Sequence, residues 1–322
     1  MLTTEHDRTR ESPPRRRGIE ASPSLALRAC MGRVGERPRP GTRGLRWALA
    51  AAAALAGAAW LGAQPRPLGP AEGTALEGQD HVASAHAFQQ KQDRASGPQR
   101  KTLRVGTFNI HGCRGADGRR DLDRVARCLA DLDFAALNEV HGPHPWQQLD
   151  QAAELAARLD MAWLFAPNTR TWCCLESGNG LLSAWPASFW RRIPLAHRRE
   201  RGYRNAVLVG LEHGARTVSL LLTHITRSDD ASRAEQLRAV AEMYLALAEP
   251  AVLLGDLNTP ADDPEMRRLL AAPGVRDPLG EKLGAAAPPR IDWILARGMR
   301  PVDAGLREQG ASDHPLVWAE LE

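Results

Sequence analysis

The sequence predicts an α/β fold of mixed sheets packed between helices, and three observations carry that expectation. Short aliphatic and β-branched runs of strand length recur through residues 102–322, among them "TLRVGTFN" and "AVLLGDL". Longer stretches with apolar residues at i, i+3, i+4 and i+7 lie between some of these runs. Consecutive strands are interleaved with strand–helix–strand units, an order that does not fit a regularly alternating barrel.

Taken in order, residues 102–112 open the domain as a strand ending at polar Asn109 and His111. Residues 120–133 read as an amphipathic helix because Leu122, Val125, Ala126 and Leu129 share one face. A strand at 134–140, a helix at 146–160 and a short strand at 162–166 follow. Strands are expected next at 179–185, 187–193, 205–212 and 216–225, then a long helix over 231–248. A strand at 251–257, a short helix near 263–271 and strands at 291–295 and 315–320 complete the series. No internal repeat is evident.

The chain ahead of this domain has a different composition. Residues 1–46 carry eleven Arg against five acidic residues, a local charge of +6 broken by Pro and Gly, and read as a basic, disordered region. Residues 47–63, "WALAAAAALAGAAWLGA", hold no charge, and residues 64–101 read as a polar linker with a charge of +1. Of the whole-chain +4, the first 101 residues account for +7, which leaves −3 on residues 102–322. The basic pI of about 9.0 thus belongs to the tail. A basic flank, an apolar segment and a polar exit have the form of an export signal. The positive flank predicts a cytoplasmic N-terminus and a domain outside, either anchored in the cell membrane through 47–63 or released as a secreted or periplasmic protein after cleavage.

Several strands of the domain end in a carboxylate, an amide or a histidine. Asn109 follows "VGTF", Glu139 follows "FAALN" and His224 follows "SLLLT". Asp256 and Asn258 follow "AVLL", two residues apart, so on an extended chain they address one object above the sheet. Asp292 lies in "RIDWIL", and Asp313 with His314 precedes the last strand in "SDHPLVW". One such residue is a turn former. Seven such places in one domain point to chemistry.

The set suits phosphoester hydrolysis at a hard cation. Mg²⁺ takes oxygen ligands and keeps several waters, so one or two carboxylates and an Asn carbonyl suffice, with substrate phosphate filling a further position. A histidine positioned by a carboxylate stabilises or protonates phosphoryl oxygens, and a second acid orients or deprotonates the attacking water. Zinc favours His and Cys clusters, and the five Cys, at 30, 113, 128, 173 and 174, have no zinc-ligand spacing.

The order "TFNIH", "LNEV", "GNGLLS", "LLTHI", "LLGDLN", "RIDWIL" and "SDHPLV" resembles the endonuclease/exonuclease/phosphatase superfamily over about residues 102–322. The superfamily includes apurinic-site endonucleases, pancreatic-type deoxyribonucleases, neutral sphingomyelinases and inositol polyphosphate 5-phosphatases. The resemblance implies a four-layer α/β sandwich, two mixed sheets face to face and flanked by helices, with the site where strand ends meet. It implies Glu139 as the principal metal ligand with Asn109 and Asp313 beside it, and Mg²⁺, or Mn²⁺, as the cofactor. Asp256 is implied as the acid that handles water, Asn258 as the phosphate-binding amide, and His314 as the catalytic histidine oriented by Asp292. His224 resembles the second histidine of the deoxyribonuclease and sphingomyelinase branches, with a catalytic or phosphate-binding role. Two positions depart from the pattern: Asn138 stands where relatives commonly carry Gln, and the tyrosine of the apurinic endonucleases has no match, Tyr203 and Arg204 both lying near its place.

The expected function is Mg²⁺-dependent hydrolysis of a phosphoester by a membrane-tethered or exported monomer. A nuclease gripping a long duplex spreads Lys and Arg along phosphates, and a domain charge of −3 gives no such sign. Nucleic acid and phospholipid headgroups both stay open as substrates. A non-catalytic binding module is the alternative from another class. Against it, binding alone does not require the metal ligand and the Asp–His pair together.

Overall fold

The computed structural model describes residues 42–83, 102–144, 150–172, 174, 175, 177–197, 203–214, 216–228 and 230–322. Two six-stranded sheets organise it. The first contains β3 (Leu103–Asn109), β4 (Phe134–Val140), β5 (Ala162–Pro167), β7 (Gly178–Ser183), β13 (Pro301–Arg307) and β14 (Leu316–Leu321), in the order β13-β14-β3-β4-β7-β5. The second contains β2 (Ala71–Gly73), β8 (Ala187–Leu195), β9 (Arg204–His213), β10 (Arg216–His224), β11 (Ala251–Asp256) and β12 (Asp292–Arg297), in the order β12-β11-β10-β9-β8-β2. Only β3 with β4 and β10 with β11 run parallel; every other pairing within these two sheets is antiparallel.

Strands buried on both faces explain the near-continuous apolar runs. In β11, Val252 and Leu254 face the central core between the sheets, while Ala251 and Leu253 face the outer layer of helices Asp230–Ala246 and Pro264–Leu270. On the other side, helices Leu122–Leu129 and Gln151–Leu159 cover the first sheet, burying Val125, Cys128, Leu129, Ala152 and Leu155 against Phe108, Leu137 and Leu182. Three apolar cores separate four layers, the expected sandwich. Asp121, Asp150, Asp263 and Asp277 cap helix N-termini by accepting backbone N–H bonds, which marks where each helix begins.

The linker expected at 64–101 is corrected over its first part. β1 (Arg66–Pro67) pairs with β6 (Thr169–Arg170), β2 lines the free edge of β8, and Leu76 and Val82 are buried in the central core. These pieces are too short for periodicity to reveal them, yet pairing along β8 satisfies edge N–H and C=O groups and covers that edge. Residues 1–41 of the basic region and 84–101 of the linker lie outside the described residues. The helix expected at 146–160 is described from Gln151. β13 and helix Pro278–Leu283 were not anticipated; β13 is a half-exposed edge strand whose Pro, Asp and Gly obscure its alternation.

Helix Thr42–Ala63 spans 22 residues, and its 46–63 portion is long and apolar enough to cross a membrane by length and composition. Residues 56–322 cluster as one unit.

Candidate functional site

Strand direction converges the polar strand ends. β3, β4, β10 and β11 finish at the same end of the sandwich, and antiparallel β12 and β14 begin there. The register sets Asn109 beside Asn138, His224 beside Asp256, and Asp256 beside Asp292.

Local backbone then aims the side chains. β4 pairs irregularly with β7 between Leu137 and Val140, and within that bulge Glu139 takes a φ of 55°, turning it toward the open end. Asn258 has a φ of 45° and donates its backbone N–H to Asp256 Oδ1 at 2.9 Å. Gly255 sits at φ 146° with Thr223 O only 1.8 Å from where a Cβ would stand, so no other residue fits before Asp256. Strain concentrated at these turns fits a site that over-determines its geometry.

Asn109 joins the two halves of the cluster. Its Nδ2 donates to Glu139 Oε1 at 3.2 Å and to Asp256 Oδ2 at 3.1 Å, while its Oδ1 accepts from His111 N at 3.1 Å and keeps a second lone pair. His314 Nδ1 lies 2.7 Å from Asp292 Oδ2. Ser312 Oγ is 2.6 Å from Asn109 O, so its single hydrogen goes there, and it can accept from His314 N at 3.3 Å. His224 Nε2 is 3.1 Å from Asn258 Nδ2 and 3.5 Å from Asp256 Oδ2. Asn258 Nδ2 also donates to Ile225 O at 3.0 Å.

Seven of the eight expected site residues, Asn109, Glu139, His224, Asp256, Asn258, Asp292 and His314, are thus linked by direct contacts or strand register. Asp313 stands at the rim, its side chain 58% exposed and its Oδ1 3.4 Å from His111 Nδ1.

Burial divides the charges. It raises Asp256 above the ordinary carboxylate range, with the charge of Asp292 adding, against the bonds from Asn258 and Asn109. It likewise raises Asp292, opposed by His314. Burial works against a charged His314, but the hydrogen bond and charge of Asp292 outweigh it and hold the imidazole up at about 9. His224 is pushed well below the ordinary histidine value by burial, with Arg204 and His314 adding, and is neutral. A neutral ring accepting from Asn258 at Nε2 carries its proton at Nδ1.

A second set of residues supports the cluster: Asn138, which the sequence marked only as a departure from the family pattern, and Asn179, Asn205 and Gln151, which escaped the sequence reading. Asn138 Oδ1 accepts from Asp256 N at 2.9 Å, and its Nδ2 donates to Asn179 Oδ1 at 2.9 Å and to Thr223 O at 3.2 Å. Asn179 in turn donates to Asn205 O at 2.8 Å. The shorter amide at 138 therefore does reach the site, through a buried chain of Asn residues. Gln151 ties the two approach loops by accepting from His141 N and donating to Gly112 O, each at 2.8 Å. Asn179 between two glycines in "GNG" was the visible signal. Gln151, inside a helix, gave none.

For a divalent cation, Glu139, the free lone pair of Asn109 Oδ1 and Asp313 form an oxygen-only donor set, which suits a hard ion. Asp256, Asp292 and His314 also place one ligand atom each within 4.8 Å of one another. That closeness reflects the Asp292–His314 hydrogen bond, and a protonated imidazole repels a cation, so the Glu139 side fits better.

Residues 106–314 match the sequence model of the endonuclease/exonuclease/phosphatase family. An endonuclease/exonuclease/phosphatase from Beutenbergia cavernae superposes with a TM-score of 0.55 at 26% identity, covering 69% of this chain and 72% of that one. D. rerio TDP2 humanized by 14 mutations superposes with a TM-score of 0.54 at 19% identity, covering 69% of this chain and 100% of that one. D. rerio TDP2 complexed with single strand DNA product gives 0.54 at 17%, with the same coverage. At such identities the TDP2 likeness shows the fold. No curated protein matches the sequence.

Proposed function

The chain belongs to the endonuclease/exonuclease/phosphatase family and is a metal-dependent phosphoester hydrolase, and from that premise we propose that residues 102–322 cleave a phosphodiester with Mg²⁺, for which Mn²⁺ substitutes. The observation that carries the reading is the 2.7 Å His314–Asp292 bond beside Asp256, with Asn109 tying Asp256 to Glu139.

Glu139, Asn109 and Asp313 would hold the cation. Held there, a divalent cation would supply charge neutralisation at a phosphoryl oxygen. Asp256 takes a proton from the attacking water, a role its raised pKa favours. Its two oxygens are fixed by Asn258 N and Asn109 Nδ2, so the carboxylate cannot rotate away from the water. His314 donates Nδ1–H to Asp292 and offers Nε2–H to a phosphoryl oxygen, stabilising charge as the new P–O bond forms and the leaving oxygen departs. Asn258 contacts phosphate by giving it the amide hydrogen that His224 Nε2 accepts in this state. Nearly solvent-free, His224 positions that amide until phosphate takes the hydrogen, and the bond to Ile225 O holds it thereafter.

The apolar helix Thr42–Ala63 behind an Arg-rich flank supports a tether with the catalytic domain outside the cytoplasm, and a monomer suffices because every site residue comes from one chain. Alkaline phosphatase fused after residue 101 reports the topology, being active only outside the cytoplasm; a silent but well-expressed fusion would overturn it. Nucleic acid is the second reading for the substrate, favoured by the DNA product in D. rerio TDP2. The purified full chain should hydrolyse bis-(p-nitrophenyl) phosphate with Mg²⁺ and stop in EDTA. Turnover that persists in EDTA, or none with any divalent ion, contradicts the reading.

A further inference from the structure

A cavity of about 570 Å³ has walls of two origins. Asn168, Thr169, Ser177, Tyr203 and Arg204 form one wall. Trp60, Leu61, Gln64 and Pro65, at the end of helix Thr42–Ala63 and just beyond it, form the other. This second wall precedes residue 106, where the match to the family begins, so it belongs to this chain's own N-terminal extension.

Arg204 connects the cavity to the catalytic acids. Arg204 opens β9, antiparallel to β10, at the end of the sheet where His224 closes β10, and the charges of Glu139 and Asp256 act on its guanidinium, which burial lowers. Among the described residues its Nε is buried with no hydrogen-bond partner, and one of its terminal nitrogens makes a single long bond, 3.3 Å, to Tyr203 O. Arg204 lines the cavity with guanidinium donors to spare, which suits it to an anionic oxygen of the ligand.

The rim of the helix wall is apolar and aromatic. Trp60, Leu61 and Trp172 are 63%, 56% and 76% exposed. Trp172 is fastened to the helix end, since its N–H donates to Gly62 O at 2.9 Å and its side chain packs over Gly62. Exposed tryptophans at the end of an uncharged helix suit the membrane–water interface, where one face of the ring is apolar and the edge is wet. They have no use in gripping a phosphate backbone, and the domain charge of −3 gives no sign of the many basic contacts that a long duplex needs.

We propose that this cavity is a subsite for a membrane lipid phosphodiester: Arg204 takes a phosphate oxygen, the Trp60–Leu61 wall takes the proximal apolar part of the lipid, and the helix holds the mouth at the bilayer surface. The inference rests on the phosphodiesterase reading above and names its substrate class.

The test uses the full chain reconstituted in vesicles containing phosphatidylglycerol and sphingomyelin, with bis-(p-nitrophenyl) phosphate and plasmid DNA as soluble substrates. The wild type should cleave at least one of the two lipids. Gln64→Trp, which fills the cavity from a residue outside the catalytic cluster, should lower lipid kcat/KM at least about tenfold and leave turnover of the soluble diester within about twofold. If that variant loses both activities, Trp60→Ala decides: a loss confined to lipid supports the subsite, and lipid turnover equal to wild type overturns it. Hydrolysis of the soluble diester or of DNA with neither lipid touched overturns the lipid inference and leaves the phosphodiesterase reading standing. No hydrolysis of any substrate overturns both.

Discussion

The two sheets bring different chemistry to the same edge. The first, with the loop leading into β14, supplies Asn109, Glu139, Asp313 and His314, and Glu139 stays partly open while Asp313 is exposed. The second supplies His224, Asp256 and Asp292, each at most 5% exposed. The cation-binding side is therefore open to bulk solvent, while the proton-handling side is screened from it, and there burial raises both acids and neutralises His224. Among the bonds that cross between the sheets are Asn109 to Asp256, Asp256 N to Asn138, His314 to Asp292, Asn138 to Thr223 O and Asn179 to Asn205 O. The site exists only where the sheets are packed, so its chemistry and the central core depend on one another.

The largest effect is expected from breaking the pair that bridges the two halves, His314 with Asp292. His314→Ala should lower kcat/KM for bis-(p-nitrophenyl) phosphate on the order of 10³-fold without unfolding the chain. A loss below tenfold in steady-state kinetics would put that charge stabilisation elsewhere. Next comes the cation-binding half. Glu139→Gln keeps size and removes the charge that holds a hard ion, so Mg²⁺ affinity should fall by about tenfold or more. Isothermal titration of Mg²⁺ into both forms with a substrate analogue present reads this, and equal affinities would remove Glu139 from the ligand set.

The seam between the halves should respond in stability first. Asn138→Ala strips an acceptor from Asp256 N and donors from Asn179 and Thr223, leaving buried groups unpaired, at about 2–3 kcal/mol. Urea unfolding measures it. A change under about 0.5 kcal/mol would mean that the amide chain is not holding the sheets in register.

The halves also differed in how legible they were. The sandwich could be read because β3, β4, β10 and β11 are aliphatic runs buried on both faces, and their polar last residues stood out against them. Asp256 and Asn258 were visible for that reason. The seam was hardly legible: Asn138, Asn179 and Asn205 acquire partners only through pairing between distant strands, and apart from the glycines flanking Asn179 little local distinguishes a buried amide network from turn residues. β2 escaped for a similar reason, since three residues gain stability from the edge of β8 and from no pattern of their own. Gln151 reads as an ordinary polar helix residue until the loops at His141 and Gly112 are seen to meet on it.

The bond that most directly joins the two sheets in the chemistry is His314 to Asp292, and a double-mutant cycle on kcat/KM with Mg²⁺ measures it. The variants are His314→Ala, Asp292→Ala and the double, each checked for folding. Residues acting as one unit are strongly non-additive, so the double variant should lose little more than His314→Ala alone. Free-energy costs that simply add would mean that the two residues act separately and that no catalytic pair spans the sheets.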